Sequence, residues 1–101
     1  MILPSLLIEI AFTAWGVPAK RGMHKQKMGK DKSGYARIAH ARYLVFAILI
    51  REPEWNYHNI AALFNMNVKS IYTGIMRVQQ APIDSELYQK YHECVNIISK
   101  L

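Results

Sequence analysis

An all-α fold, a small bundle of about five helices containing a helix-turn-helix, is what this sequence predicts, and three observations lead there. Apolar residues recur at helical spacing, with no alternation that would argue for a strand. Prolines stand at the edges of those runs, at Pro4, Pro18, Pro53 and Pro82. Residues 58–78, HNIAALFNMNVKSIYTGIMRV, hold two short amphipathic runs joined by the polar Asn65-Met66-Asn67, the outline of two helices at a tight turn. A chain of 101 residues with half its residues apolar is read as one folded domain over residues 1–101.

The first helix is expected from Pro4 or Ser5 to Trp15, with Gly16 just past its end and Pro18 closing the connection. A long helix follows from about Tyr35 to Glu52 and stops at Pro53. Its apolar positions, Ile38, Ala41, Val45, Ile48 and Leu49 among them, nearly encircle it, so it should form the buried centre of the bundle. Asn56 is placed to cap a third helix ending near Phe64. Asn65 falls where the turn wants a left-handed residue, for which asparagine is the usual substitute for glycine. Asn67 caps a fourth helix from Val68 to Gln80, and a fifth begins near Ser85, carrying Leu87, Tyr91, Cys94 or Val95, Ile98 and Leu101 as one stripe. Trp15 and Trp55 are read as core or hinge residues, Tyr72 and Met76 as one stripe that packs or else contacts thymine methyls, packing being favoured, and His40 as a helix residue beside Arg42.

The charge is concentrated. Thirteen Lys and Arg oppose seven Asp and Glu, a net +6. Residues 20–37 alone hold Lys20, Arg21, Lys25, Lys27, Lys30, Lys32 and Arg37 against Asp31, which equals that +6. Such a run either keeps a loop soluble or meets phosphate, and charge alone leaves both open. Gly29-Lys30 is no phosphate loop, because Asp31 stands where a magnesium-holding Ser or Thr is required. No nucleotide or other cofactor is expected.

Other chemistry finds little footing. His24, His40, His58, His92 and Cys94 fit none of the recurring zinc spacings, and His92 and Cys94, two apart on a helix, point in different directions. No Ser–His–acid set stands out, so no metal site and no enzyme is expected. A single cysteine suits a reducing compartment. The opening MILPSLLIEIAFTAW lacks a basic start and carries Glu9, so it reads as a helix rather than a leader, and a cytoplasmic protein without membrane spans is expected.

Lys69, Ser70 and Thr73 lie early in the fourth helix at helical spacing, with Arg77 one turn on. In a helix-turn-helix these positions meet base edges in the major groove, where lysine commonly pairs with guanine. The plainer reading is an ordinary polar face opposite Ile71, Ile75 and Val78.

From the long helix onward, ARIAHARYLVFAILIREPEWNYHNIAALFNMNVKSIYTGIMRV resembles the C-terminal DNA-binding domain of DnaA, the bacterial replication initiator, with its Trp-repressor-like helix-turn-helix. The likeness runs back through IEIAFTAWGVPAKRGMHKQKMGK and covers about residues 7–100. The family's Asp-His-Thr-Thr-Val motif aligns with Asn67-Val68-Lys69-Ser70-Ile71, where Ser70 and Ile71 are mild replacements and Val68 and Lys69 are not. The resemblance implies base contacts from Asn67, Val68, Lys69, Ser70 and Thr73, and an Arg42 that reaches toward the minor groove. It further implies backbone contacts from Tyr57 and His58. For Lys25, Lys27, Lys30 and Lys32 the expected role is collective phosphate attraction. The family's ATPase module has no counterpart, which suits a freestanding domain of a mobile element acting in replication, transcription or transposition.

The expected partner is therefore double-stranded DNA. The alternative is a small helical adaptor that docks its last helix on a replication or transcription protein. A lipid-surface role ranks third, since the basic run lacks an interleaved apolar face.

Overall fold

The computed structural model of the chain describes residues 3–17 and 32–101, with backbone alone for 32–35. Among the described residues there are five helices and no strand: α1 (Pro4–Ala14), α2 (Lys32–Leu49), α3 (Tyr57–Phe64), α4 (Val68–Gln79) and α5 (Glu86–Ser99). No helix among them is long and apolar enough to cross a membrane.

The axis of the fold is α2. Leu44, Val45, Phe46, Ala47, Ile48 and Leu49 are all buried. Six consecutive residues point in every direction around a helix, so burying all six requires neighbours on every side. α1, α4 and α5 pack against it, α3 packs on α4, and α5 also touches α1. Phe12, Phe46 and Phe64 come from α1, α2 and α3 and are fully buried, together with Leu7, Leu44, Leu49, Ile60 and Ile71.

Aromatic rings thread this core. Trp15 lies 5.1 Å from His40. His40 is 5.8 Å from Tyr43, which is 6.3 Å from Phe46. Phe46 meets Phe64 edge-on at 5.1 Å. Each spacing falls in the range of favourable aromatic pairs. The series joins the end of α1, the length of α2 and the end of α3. Trp15 is thus a core residue, and its Nε1 finds no hydrogen-bond partner among the described residues.

Two helices end by the same closure. At α1, Gly16 adopts φ 69°, and the Gly16 and Val17 N–H groups donate to Thr13 O and Phe12 O at 3.0 and 2.9 Å. At α3, Asn65 adopts φ 52° and ψ 49°, and the Asn65 and Met66 N–H groups donate to Ala62 O and Ala61 O at 3.3 and 3.0 Å. Both are Schellman closures, one with glycine and one with asparagine in the left-handed position. Both were expected at these residues.

Several boundaries depart from expectation. α2 begins at Lys32 rather than Tyr35, because Gly34 weakens a helix without breaking one. It ends at Leu49 rather than Glu52. Beyond it, Arg51 and Glu52 donate to Ile48 O and Leu49 O, a tightened last turn before Pro53, whose ring disfavours helix at Glu52. α4 stops at Gln79, with Gln80 as its C-terminal cap. Leu101 lies past the end of α5 and is exposed, so the apolar stripe of that helix closes at Ile98.

Gly74 sets the distance between α2 and α4. A Cβ there would stand 2.6 Å from a Tyr43 ring carbon and 2.9 Å from one of Phe46. Gly74→Ala gains about 1 kcal/mol of helix propensity. Overpacking against Phe46, which is fully buried, costs about 1–3 kcal/mol. The expected outcome is a net loss of stability, read as a lowered urea midpoint with an unchanged slope; a raised midpoint would show that the rings can yield.

Candidate nucleic-acid interface

The helix-turn-helix is assembled from local hydrogen bonds. Asn56 Oδ1 accepts from Asn59 N at 2.9 Å while Asn59 Oδ1 accepts from Asn56 N at 2.7 Å, a reciprocal cap at the start of α3. Asn59 Nδ2 also donates to Glu54 O at 3.0 Å, tying the cap to the preceding loop. After the left-handed Asn65, the Asn67 side chain accepts from Ser70 N at 2.8 Å and starts α4. Three polar residues that sequence reasoning placed at caps and turn are found there. Asn59, the other half of the box, was missed, although a polar residue three places after Asn56 is the signature.

α4 has two faces. Ile71, Gly74, Ile75 and Val78 are buried toward α2. Lys69, Thr73 and Arg77 are exposed on the opposite side, with Ser70 and Val68 half-buried at their flank. Tyr72 belongs to the outward side as well. It is 51% exposed and stands 6.0 Å from Tyr57 of α3, so of the two expected roles, packing and contact with thymine methyls, the favoured packing role does not hold. Tyr57 is half-buried and His58 exposed, both in the first turn of α3.

Arg42 is placed otherwise than expected. It is only 4% exposed, on the side of α2 that faces the turn and α4, and does not project outward. With Ala39 and Tyr43 of α2, Met66 and Asn67 of the turn, and Lys69, Ser70 and Thr73 of α4, it lines an open cleft of about 380 Å³. The expected base-contact set thus converges on one concavity, apart from Val68. Lys20, Arg21, Lys25, Lys27 and Lys30 lie outside the described residues, and of Lys32 only the helical backbone is described. Arg37, in the same basic run, donates to Trp15 O at 3.4 Å and so links α2 to the end of α1.

Among the described residues the charge around the cleft has one sign. Residues 32–51 and 55–83 contain no Asp or Glu, while they carry Lys32, Arg37, Arg42, Arg51, Lys69 and Arg77. The carboxylates of the described residues lie elsewhere: Glu9 in α1, Glu52 and Glu54 between α2 and α3, and Asp84, Glu86 and Glu93 at or within α5; Asp31 lies outside the described residues. Cys94 is buried, and its thiol is pushed up to about 11 by desolvation and by Glu93, so it stays protonated at neutral pH.

Gly74 and Tyr43 were not singled out from sequence. A glycine in register with Ile71, Ile75 and Val78 was the available signal, since a bare backbone inside a buried stripe marks a close approach. No family model, curated protein or solved structure matches this chain.

Burial holds the His40 imidazole below its ordinary 6.5, with Arg77 adding to the effect and Glu86 opposing it. The unfolded chain takes up that proton near pH 6.5 and the folded chain only lower, so the unfolded state binds more protons in between. Stability is therefore expected to fall as pH drops through 6.5 and on to the folded value. Urea midpoints from pH 7.5 to 5 should decline in the parent chain and decline less in His40→Gln; parallel profiles would assign the loss to other groups.

Proposed function

We propose that this chain binds double-stranded DNA sequence-specifically, with α4 as the recognition helix, in the manner of the DnaA C-terminal domain that its sequence resembles. The observation that carries the reading is the α3–turn–α4 unit itself. A left-handed Asn65 and a capping Asn67 present Lys69, Thr73 and Arg77 outward from a stretch without a single carboxylate. An α-helix fits the major groove, and early positions of a recognition helix meet base edges there.

In this reading Lys69 and Thr73 contact bases, while Tyr57 and His58 meet the backbone beside the N-terminus of α3. Lys25, Lys27, Lys30 and Lys32 supply salt-sensitive phosphate attraction. No role in the minor groove is proposed for Arg42, whose burial does not suit a reaching side chain.

The adaptor reading has one observation in its favour. α1 and α5 flank a groove of about 540 Å³ lined by Leu6, Ile10 and Ile97 with Glu9, Lys90 and Glu93 on it, and Leu3 beside α1 is also exposed. The test separates the two. Fluorescence anisotropy against a duplex carrying the DnaA box and against a scrambled duplex, at several salt concentrations, should give salt-dependent binding to both. Tighter binding to the box would mean that the family's readout survives the altered motif. Equal binding would call for selecting a site from random sequence. On the preferred site Lys69→Ala should lose about tenfold in affinity, the loss of one good base contact, with little change on non-specific DNA. Lys25→Ala should weaken both alike. Equal losses for both variants on every sequence would remove α4 from readout, and no binding at low salt would favour the adaptor.

A further inference from the structure

Of the large apolar side chains of α4, only Tyr72 is exposed, and base contact by Lys69 and Thr73 leaves it without a task. Successive residues of a helix are turned by about 100°, so Tyr72 lies about 60° to one side of Lys69 and Thr73 about 40° to the other. All three belong to the arc opposite the buried Ile71, Gly74, Ile75 and Val78. At about 1.5 Å of rise per residue, Tyr72 stands about 4.5 Å further along the axis than Lys69, little more than one base step of about 3.4 Å. A helix that brings Lys69 to a base edge therefore carries the Tyr72 ring into the same groove, within about two base pairs.

The ring is also held in place. It stands 6.0 Å from the ring of Tyr57, at an interplanar angle of 59°, a favourable aromatic pairing. Tyr57 is half-buried and packs against the core, so an exposed ring is tied to the body of the fold. A side chain ordered in advance gives up little freedom on binding. The Tyr57 hydroxyl is left to the backbone contact already proposed.

The chemistry of an intact duplex limits what such a ring can meet. Base faces are stacked and covered. Base edges in the major groove offer donors and acceptors, with one apolar group among them, the C5 methyl of thymine. Cytosine methylated at C5 presents the same group at the same place. We infer that Tyr72, backed by Tyr57, reads a pyrimidine C5 methyl in the major groove, beside the base that Lys69 contacts. The inference rests on the DNA-binding reading of α4. The methyl has two sources, thymine and 5-methylcytosine, and burying either against the ring is worth about fourfold in affinity.

The test uses the full chain and the duplex it prefers, the DnaA box or a site selected from random sequence. Each thymine is replaced singly by deoxyuridine and each cytosine by 5-methylcytosine, changes that remove or add one methyl and keep every base-pair hydrogen bond. At one position deoxyuridine should weaken the parent chain about fourfold. Tyr72→Ala should bind thymine and deoxyuridine there alike, with its helical circular dichroism intact, since the side chain is half exposed. Tyr72→Phe, which keeps the ring and loses the hydroxyl, should discriminate as the parent does. That pattern assigns the methyl to thymine. A gain of about fourfold on 5-methylcytosine that Tyr72→Ala abolishes, with no deoxyuridine effect, supports the inference and assigns the methyl to cytosine. A methyl effect that survives Tyr72→Ala, or one that Tyr72→Phe abolishes, overturns it. Duplex binding with no methyl effect at any position overturns it and leaves the DNA reading standing. No duplex binding at low salt overturns both.

Discussion

The placement of α4 hangs from one contact, the rings of Tyr43 and Phe46 laid against the bare backbone of Gly74. α4 has no other way to approach α2 so closely, and its buried residues Ile71, Ile75 and Val78 find their depth from it. The tilt and height of the exposed face follow, because a helix is stiff over its twelve residues. Tyr43 of that contact also lines the cleft beside Arg42. A spacing fixed by a ring on one side and an absent side chain on the other is a rigid gauge, since neither partner has a flexible end to absorb error.

The aromatic series extends that gauge through the molecule. Tyr43 touches His40, which touches Trp15, while Phe46 reaches Phe64 at the end of α3. The two helices of the helix-turn-helix are therefore referred to one side of α2, α4 through Gly74 and α3 through Phe64. Tyr57 and Tyr72 add a link on the outside, between the first turn of α3 and the exposed face of α4. The relative position of the two helices is set by packing at both ends, and the turn itself has only to reverse the chain. Asn65 does so in the left-handed conformation, at small cost for an asparagine.

What could be read from sequence was local. Gly16, Asn56, Asn65 and Asn67 announce caps and turns because their hydrogen bonds close within a few residues, and each was found in its expected place. The encircling apolar pattern of α2 announced a central helix for a similar reason. The misses depend on partners far along the chain. Arg42 is buried beside the turn and α4, a placement that depends on residues far along the chain. Tyr72 faces out because Gly74 and Ile75 claim the buried arc of α4, leaving the arc of Lys69 and Thr73 to it. The ends of α2 moved for subtler reasons, a tolerated Gly34 at one end and the steric reach of Pro53 at the other.

The burial of α2 from Leu44 to Leu49 has a consequence for how the protein comes apart. Amides in that stretch are covered from every side, so no partial loosening of one neighbour lets solvent reach all of them. They exchange with solvent only when the surrounding helices leave together. The core and the α3–turn–α4 unit are for that reason one cooperative unit, and α4 cannot melt away from an otherwise intact core that needs it as a wall. A protein built this way gives up separate folding of its α3–turn–α4 unit as a switch.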